Sequence, residues 1–192
     1  GDGSWRLLFG NGGIHCLDVA GNVLWHHKLT EAQHVVGGHF RPDLGPVQFM
    51  VLDRGFPRTP EGSPGVLYLY DLEGNEIWRR PQPPGSWAAA IIEIDWSGYG
   101  EAREVVVYSR GQGNPVAVYD GYGEIVDEVG MEYTLDRTEA DRRTHHYVTR
   151  ADVWGDSRQE IILHGTRGTC IWANATAHQL STHYNNTLYP GM

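Results

Sequence analysis

One unit recurs along this chain and restricts its fold more than any other feature. An apolar strand runs into Asp-x-x-Gly, and a second strand leaves the turn. The copies read IHCLDVAGNVLW at residues 14–25, LYLYDLEGNEIW at 67–78 and VAVYDGYGEIV at 116–126. A fourth, TCIWAN at 169–174, keeps the strand and carries Asn174 at the aspartate position. Aspartate caps such a turn with its side chain and glycine takes the positive φ, so each copy predicts a tight hairpin. Asp18 and Asp71 lie 53 residues apart, Asp71 and Asp120 49, and Asp120 and Asn174 54. A period near 40–50 residues with about four strands per unit is the signature of β-propeller blades.

A second unit precedes each hairpin: a strand, an acidic glycine turn, and another strand. It reads Ile91–Asp95, Trp96–Gly100 and Glu104–Tyr108 in the third repeat, and Val148–Asp152, Val153–Gln159 and Glu160–His164 in the fourth. The second repeat has Val35–Asp43 and then Phe49–Leu52. The expected fold is therefore all-β, a propeller segment of about four blades of four antiparallel strands, at about 1–29, 33–81, 86–130 and 145–192. Gly1-Asp2-Gly3 reads as the end of an acidic turn, so the chain is expected to open inside a blade. Three arrangements are open: a closed four-bladed ring, a half-ring pairing with a copy of itself, and half of a seven- or eight-bladed ring. The opening points to the last. Arg54 to Pro64 reads as a Pro/Gly-rich loop, and the charged stretch from Leu135 to His145 as a short helix or long loop.

Composition narrows the function classes. The chain has 25 glycines, 7 tryptophans and 10 tyrosines among 192 residues, as short strands and tight turns require. Its formal charge of −9 opposes nucleic-acid phosphates, so no nucleic-acid partner is expected, although a local basic cleft leaves a polyanionic sugar open. No run approaches the ~20 apolar residues of a membrane span. Cys16 and Cys170 match no metal-ligand spacing, and read as two thiols packed as small hydrophobes or as one bridge. N-x-T sequons stand at Asn174 and Asn185.

Three groups of residues could carry chemistry. Asp152, Asp156 and Glu160 occupy positions one, five and nine of an acidic loop, and Asp95 and Glu104 partly repeat them. Such loops bind calcium through six to eight oxygens, or else form turns whose carboxylates bond their own backbone. Trp154 and Ser97 stand where ligands would be. His145, His146 and Tyr147, placed just before an inner strand, with Arg150 inside it, could supply a base, an acid and a carboxylate neutraliser. The tail, with Tyr184, Asn185, Asn186 and Tyr189, carries the aromatic and amide groups that stack on sugar rings and bond hydroxyls, or forms a closing strand. His39 is a further candidate substrate contact. P-loop, G-x-S-x-G and H-E-x-x-H patterns are absent.

The segment from Ala151 to Ile162, ADVWGDSRQEII, resembles the A-D-x-x-G-D-x-R-E-E segment of bacterial rhamnogalacturonan lyases of the eight-bladed propeller type. Residues 34–43, HVVGGHFRPD, are similar to their H-V-G-D-F-x-P segment, with one extra residue and His39 in place of its aspartate. The likeness is patchy over residues 30–190. It implies a secreted protein, extracellular or periplasmic, that depends on calcium and cleaves a uronic-acid-containing glycan by β-elimination. The alternatives are a non-enzymatic propeller of FG-GAP-like or quinoprotein-like repeats binding glycan or protein, and a quinone-dependent dehydrogenase. Partners expected on these grounds are an acidic polysaccharide and a second propeller segment or a second copy of the chain.

Overall fold

A computed structural model describes residues 5–54, 65–82, 90–98, 100, 102–108, 116–129, 146–165 and 168–176. Its strands form four antiparallel sheets, each an up-and-down meander of consecutive strands. Sheet 1 contains β1 (Leu7–Gly10), β2 (Ile14–Leu17) and β3 (Val23–His27). Sheet 2 contains β4 (Ala32–Gly38), β5 (Gln48–Asp53), β6 (Val66–Tyr70) and β7 (Glu76–Pro81). Sheet 3 contains β8 (Ala90–Ile94), β9 (Glu104–Tyr108), β10 (Val116–Tyr119) and β11 (Ile125–Val129), and sheet 4 contains β12 (His146–Ala151), β13 (Glu160–Gly165) and β14 (Gly168–Trp172). No α-helix occurs among the described residues, and the sheets do not close on themselves. Residues 55–64 of the expected loop, and 135–145, lie outside the described residues.

The Asp-x-x-Gly turns form as their chemistry requires. The Asp18 amide donates to the Asn22 carbonyl and the Gly21 amide to the Asp18 carbonyl, both at 3.0 Å. The Asp18 carboxylate accepts the Ala20 and Asn22 amides at 2.9 Å and the Asn22 side chain at 2.8 Å. These bonds hold its carboxyl below the ordinary range, the Asn22 side chain most of all. Asp71 and Asp120 repeat the arrangement. Gly21, Gly74 and Gly123 take φ of +85°, +87° and +78°, and a register shift precedes each turn at the same place. The repeat is thus structural in detail.

Successive sheets pack through apolar faces, and a tryptophan ties each outer strand to the next turn. Trp25 of β3 donates its indole N–H to the Leu72 carbonyl at 3.0 Å, and His27 meets the Gly74 carbonyl at 2.7 Å. One repeat later, Trp78 of β7 donates to the Gly121 carbonyl at 2.8 Å and Arg80 to the Gly123 carbonyl at 3.2 Å. Between sheets 3 and 4 the device changes, because Asp127 occupies the tryptophan position. Trp96, from the β8–β9 turn, donates to Asp127 at 3.1 Å, and Asn174 donates to the Trp96 carbonyl at 3.0 Å. Three apolar clusters result. Ile14, Val51 and Tyr70 mark the one between sheets 1 and 2; Met50, Leu69 and Val107 that between 2 and 3; Val106, Val118, Ile161 and Leu163 that between 3 and 4.

One detail differs from the sequence reading. His146 and Tyr147 stand inside β12, paired with Gly165 and His164, because β13 continues past the Ile-Ile-Leu core and draws the preceding residues into register. Of the two readings of the cysteines the first holds: Cys16 and Cys170 are free thiols, and burial pushes the Cys16 thiol up against the opposing pull of Arg6.

Candidate functional site

The acidic turns recur as one structural motif. Glu104 opens β9, and its Oε2 accepts the Trp96 and Ser97 amides at 3.0 and 3.4 Å. Glu160 opens β13 and accepts the Val153 and Trp154 amides at 2.8 and 3.0 Å. Gln48 opens β5 and accepts the Arg41 amide at 2.7 Å. All three side chains are buried. Burial pushes the Glu104 carboxyl above the usual range, while the Ser97 and Trp96 bonds pull it down. Asp95 accepts the Gly98 amide at 2.9 Å, and the two oxygens of Asp152 accept the Gly155 and Ser157 amides at 2.6 and 3.1 Å. Asp156 is paired with Arg158.

These bonds match the second reading of the acidic turns, in which the carboxylates bond their own backbone. A calcium site needs six to eight oxygens converging on one point, whereas these carboxylates accept N–H groups of their own loops. A neutral glutamine performs the same task at position 48. No cluster of three or more metal-ligating side chains occurs among the described residues.

The β12 group is divided by strand geometry. Side chains alternate across a strand, so Arg150 shares the Val148 face and Tyr147 takes the opposite one. Arg150 bonds Glu93 at 2.7 Å and Gln159 at 3.1 Å. Arg103 bridges Glu93 at 3.1 Å and Asp95 at 3.3 Å, and its amide donates to the His39 carbonyl at 3.0 Å. Arg150, Asp95 and His39 therefore belong to one polar seam joining sheets 2, 3 and 4. Tyr147 instead stacks on His164 with ring centroids 5.8 Å apart. His145, Tyr184, Asn185, Asn186 and Tyr189 lie outside the described residues, and for His146 only the backbone is described.

A cleft of about 590 Å³ opens at the turn end of sheets 2, 3 and 4. Its walls include Phe40 and Asp43 after β4, Trp96 and Arg103 from the β8–β9 turn, and Tyr122 and Asp127 from the β10–β11 hairpin. Arg158, Asn174 and Thr176 close the far side. Tyr122 is exposed, and the Arg41 guanidinium lies 4.2 Å above its ring. Arg41 also holds Asp43 through two hydrogen bonds, at 2.8 and 2.6 Å, which keep that carboxyl below its ordinary range. Arg158 donates to the Thr176 carbonyl at 2.6 Å. Carboxylates, an amide and guanidinium groups thus surround an aromatic face. Among the described sequence candidates, only Glu104 lines this cleft. Tyr122 could have been singled out, because a tyrosine inside an Asp-x-x-Gly turn has no role in the turn itself.

No protein-family model matches the chain, and comparison with curated proteins finds no match.

Proposed function

We propose that the four sheets are blades of a β-propeller, about four of a seven- or eight-bladed ring, and that the chain binds a glycan as a non-enzymatic module. The ring reading is supported by the even repeat, the meander order of every sheet and the side-by-side packing of successive sheets. One observation carries the glycan reading: the cleft of about 590 Å³ sets the exposed Tyr122 ring beside Asp43, Asp127 and Asn174. A sugar ring stacks its apolar face on such a ring, while carboxylate and amide groups bond its hydroxyls. Titration calorimetry against a panel of neutral and uronic-acid oligosaccharides tests it. Tyr122→Ala is expected to weaken binding at least tenfold without changing the far-ultraviolet dichroism. A variant that binds as the wild type does removes the cleft from consideration.

The lyase reading is favoured by a separate observation. Arg103 and Arg158 line the same cleft, and guanidinium groups suit a uronate carboxylate. A β-eliminating enzyme acting on a rhamnogalacturonan-like polysaccharide outside the cytoplasm would leave unsaturated ends that absorb in the ultraviolet. Their absence after incubation with acidic polysaccharides, with and without calcium, leaves the binding module.

A further inference from the structure

The two end sheets each carry a face that their internal counterparts bury. In sheet 2, Phe49, Val51, Tyr68 and Tyr70 are buried. Val51, Tyr68 and Tyr70 belong to the core shared with sheet 1. In sheet 3 the equivalent residues, Val105, Val107, Ala117 and Tyr119, are buried against sheet 2. Strand register places Leu7, Phe9, His15 and Leu17 of sheet 1 at the same positions. Leu7 and Phe9 are 50% and 49% exposed.

Among the described residues, sheet 4 is open on the complementary side. Val106 and Val118 of sheet 3 are fully buried against sheet 4. Their counterparts are Ile162 and Ile171, and Ile171 is 55% exposed. Tyr147, on the same face, is also exposed. In the acidic turn of sheet 4, Val153 stands at the position that Trp96 takes in sheet 3, and Trp154 follows it at the Ser97 position. Trp96 is buried, whereas Val153 and Trp154 are 51% and 76% exposed.

The turn of sheet 1 is likewise an open socket. A methyl group added at Gly74 would meet the Trp25 ring at 2.6 Å, and one at Gly123 would meet Arg80 at 3.0 Å. At Gly21 it would meet nothing within 4 Å. The Val19 carbonyl stands where Leu72 and Gly121 accept an indole N–H, and Val19 is exposed.

We infer that two copies of this chain dock head to tail, the open face of sheet 4 on one copy covering the open face of sheet 1 on the other, at both junctions. This interface continues the packing already present between sheets 1 to 4. It joins two open segments into one ring of eight sheets, which is within the range of propellers. It rests on sheet packing and is independent of the glycan reading.

Light scattering after size exclusion, together with sedimentation equilibrium, tests it. The expected species has twice the 21.5 kDa mass of one chain. Phe9→Lys alters only the sheet 1 face and Ile171→Lys only the sheet 4 face. Each is expected to raise the dissociation constant by about a hundredfold, because each places an unpaired charge in both junctions. Both side chains are exposed in the single chain, so its dichroism stays unchanged, and Val19→Lys provides a second sheet 1 variant at the turn. Mixing the two single variants restores one intact junction and part of the association. A wild type that stays monomeric overturns the inference. So does a dimer sensitive to Phe9→Lys alone or to Ile171→Lys alone, because that result means like faces pairing with like.

Discussion

Replacing Trp78 by phenylalanine isolates one bond between sheets 2 and 3. The variant keeps an aromatic ring in the interface but loses the indole N–H that donates to the Gly121 carbonyl at 2.8 Å. Gly121 is buried, so its carbonyl has no ready access to water. Leaving a buried acceptor without its donor costs about 1–3 kcal/mol. The smaller ring gives up about 40 Å² of apolar contact, worth about 1 kcal/mol. The expected loss is thus about 3 kcal/mol, a fall in melting temperature of roughly 6–12 °C for a chain of this size. Urea unfolding followed by far-ultraviolet dichroism measures it, with an unchanged slope against denaturant. Trp25→Phe removes the equivalent bond to Leu72 between sheets 1 and 2. The two losses should add, because the sites share no partner. A loss below about 0.5 kcal/mol would show instead that ring packing alone holds the sheets and that the indole bond contributes nothing.

Gly74→Ala is expected to destabilise the fold by about 2–3 kcal/mol in the same assay, since it forces alanine to a positive φ and against the Trp25 ring. Glu160→Ala strips two loop amides of their acceptor and should cost about 2 kcal/mol, whereas Glu160→Gln should stay within about 0.5 kcal/mol, as Gln48 already performs this role. Glu104 has a raised carboxyl, so the folded state holds its proton more tightly than the unfolded one. Its contribution to stability is therefore greatest below the ordinary glutamate range and falls as pH rises through the raised value. Melting curves at several pH values should show that decline in the wild type and its reduction in Glu104→Gln.

Much of the architecture is legible in the sequence, because strand alternation and turn chemistry are local. Asp18, Asp71 and Asp120, with Gly21, Gly74 and Gly123, specify hairpins through bonds that span only a few residues, and their even spacing divides the chain into its sheets. The tryptophans at 25 and 78 were visible as part of the repeat. That they reach across to carbonyls 43 and 47 residues away was not, since such a contact depends on how two sheets stack. The acidic turns were visible too, but their sequence is compatible with either a metal or their own amides. Only the three-dimensional path of the loop brought N–H donors onto Glu104, Glu160 and Asp152. Nearness in sequence also misled at β12: Tyr147 and Arg150 are three residues apart, and the pleat sends them to opposite faces. The cleft was invisible for the same reason. Tyr122, Asp127, Arg158 and Asn174 come from different sheets, and only the packing of those sheets brings them together. Short-range hydrogen bonding and side-chain periodicity fix the local units from the order of residues alone. Which faces are covered, which are left open and where a ligand has room follow from the packing of the sheets, because those depend on contacts between residues far apart in the chain.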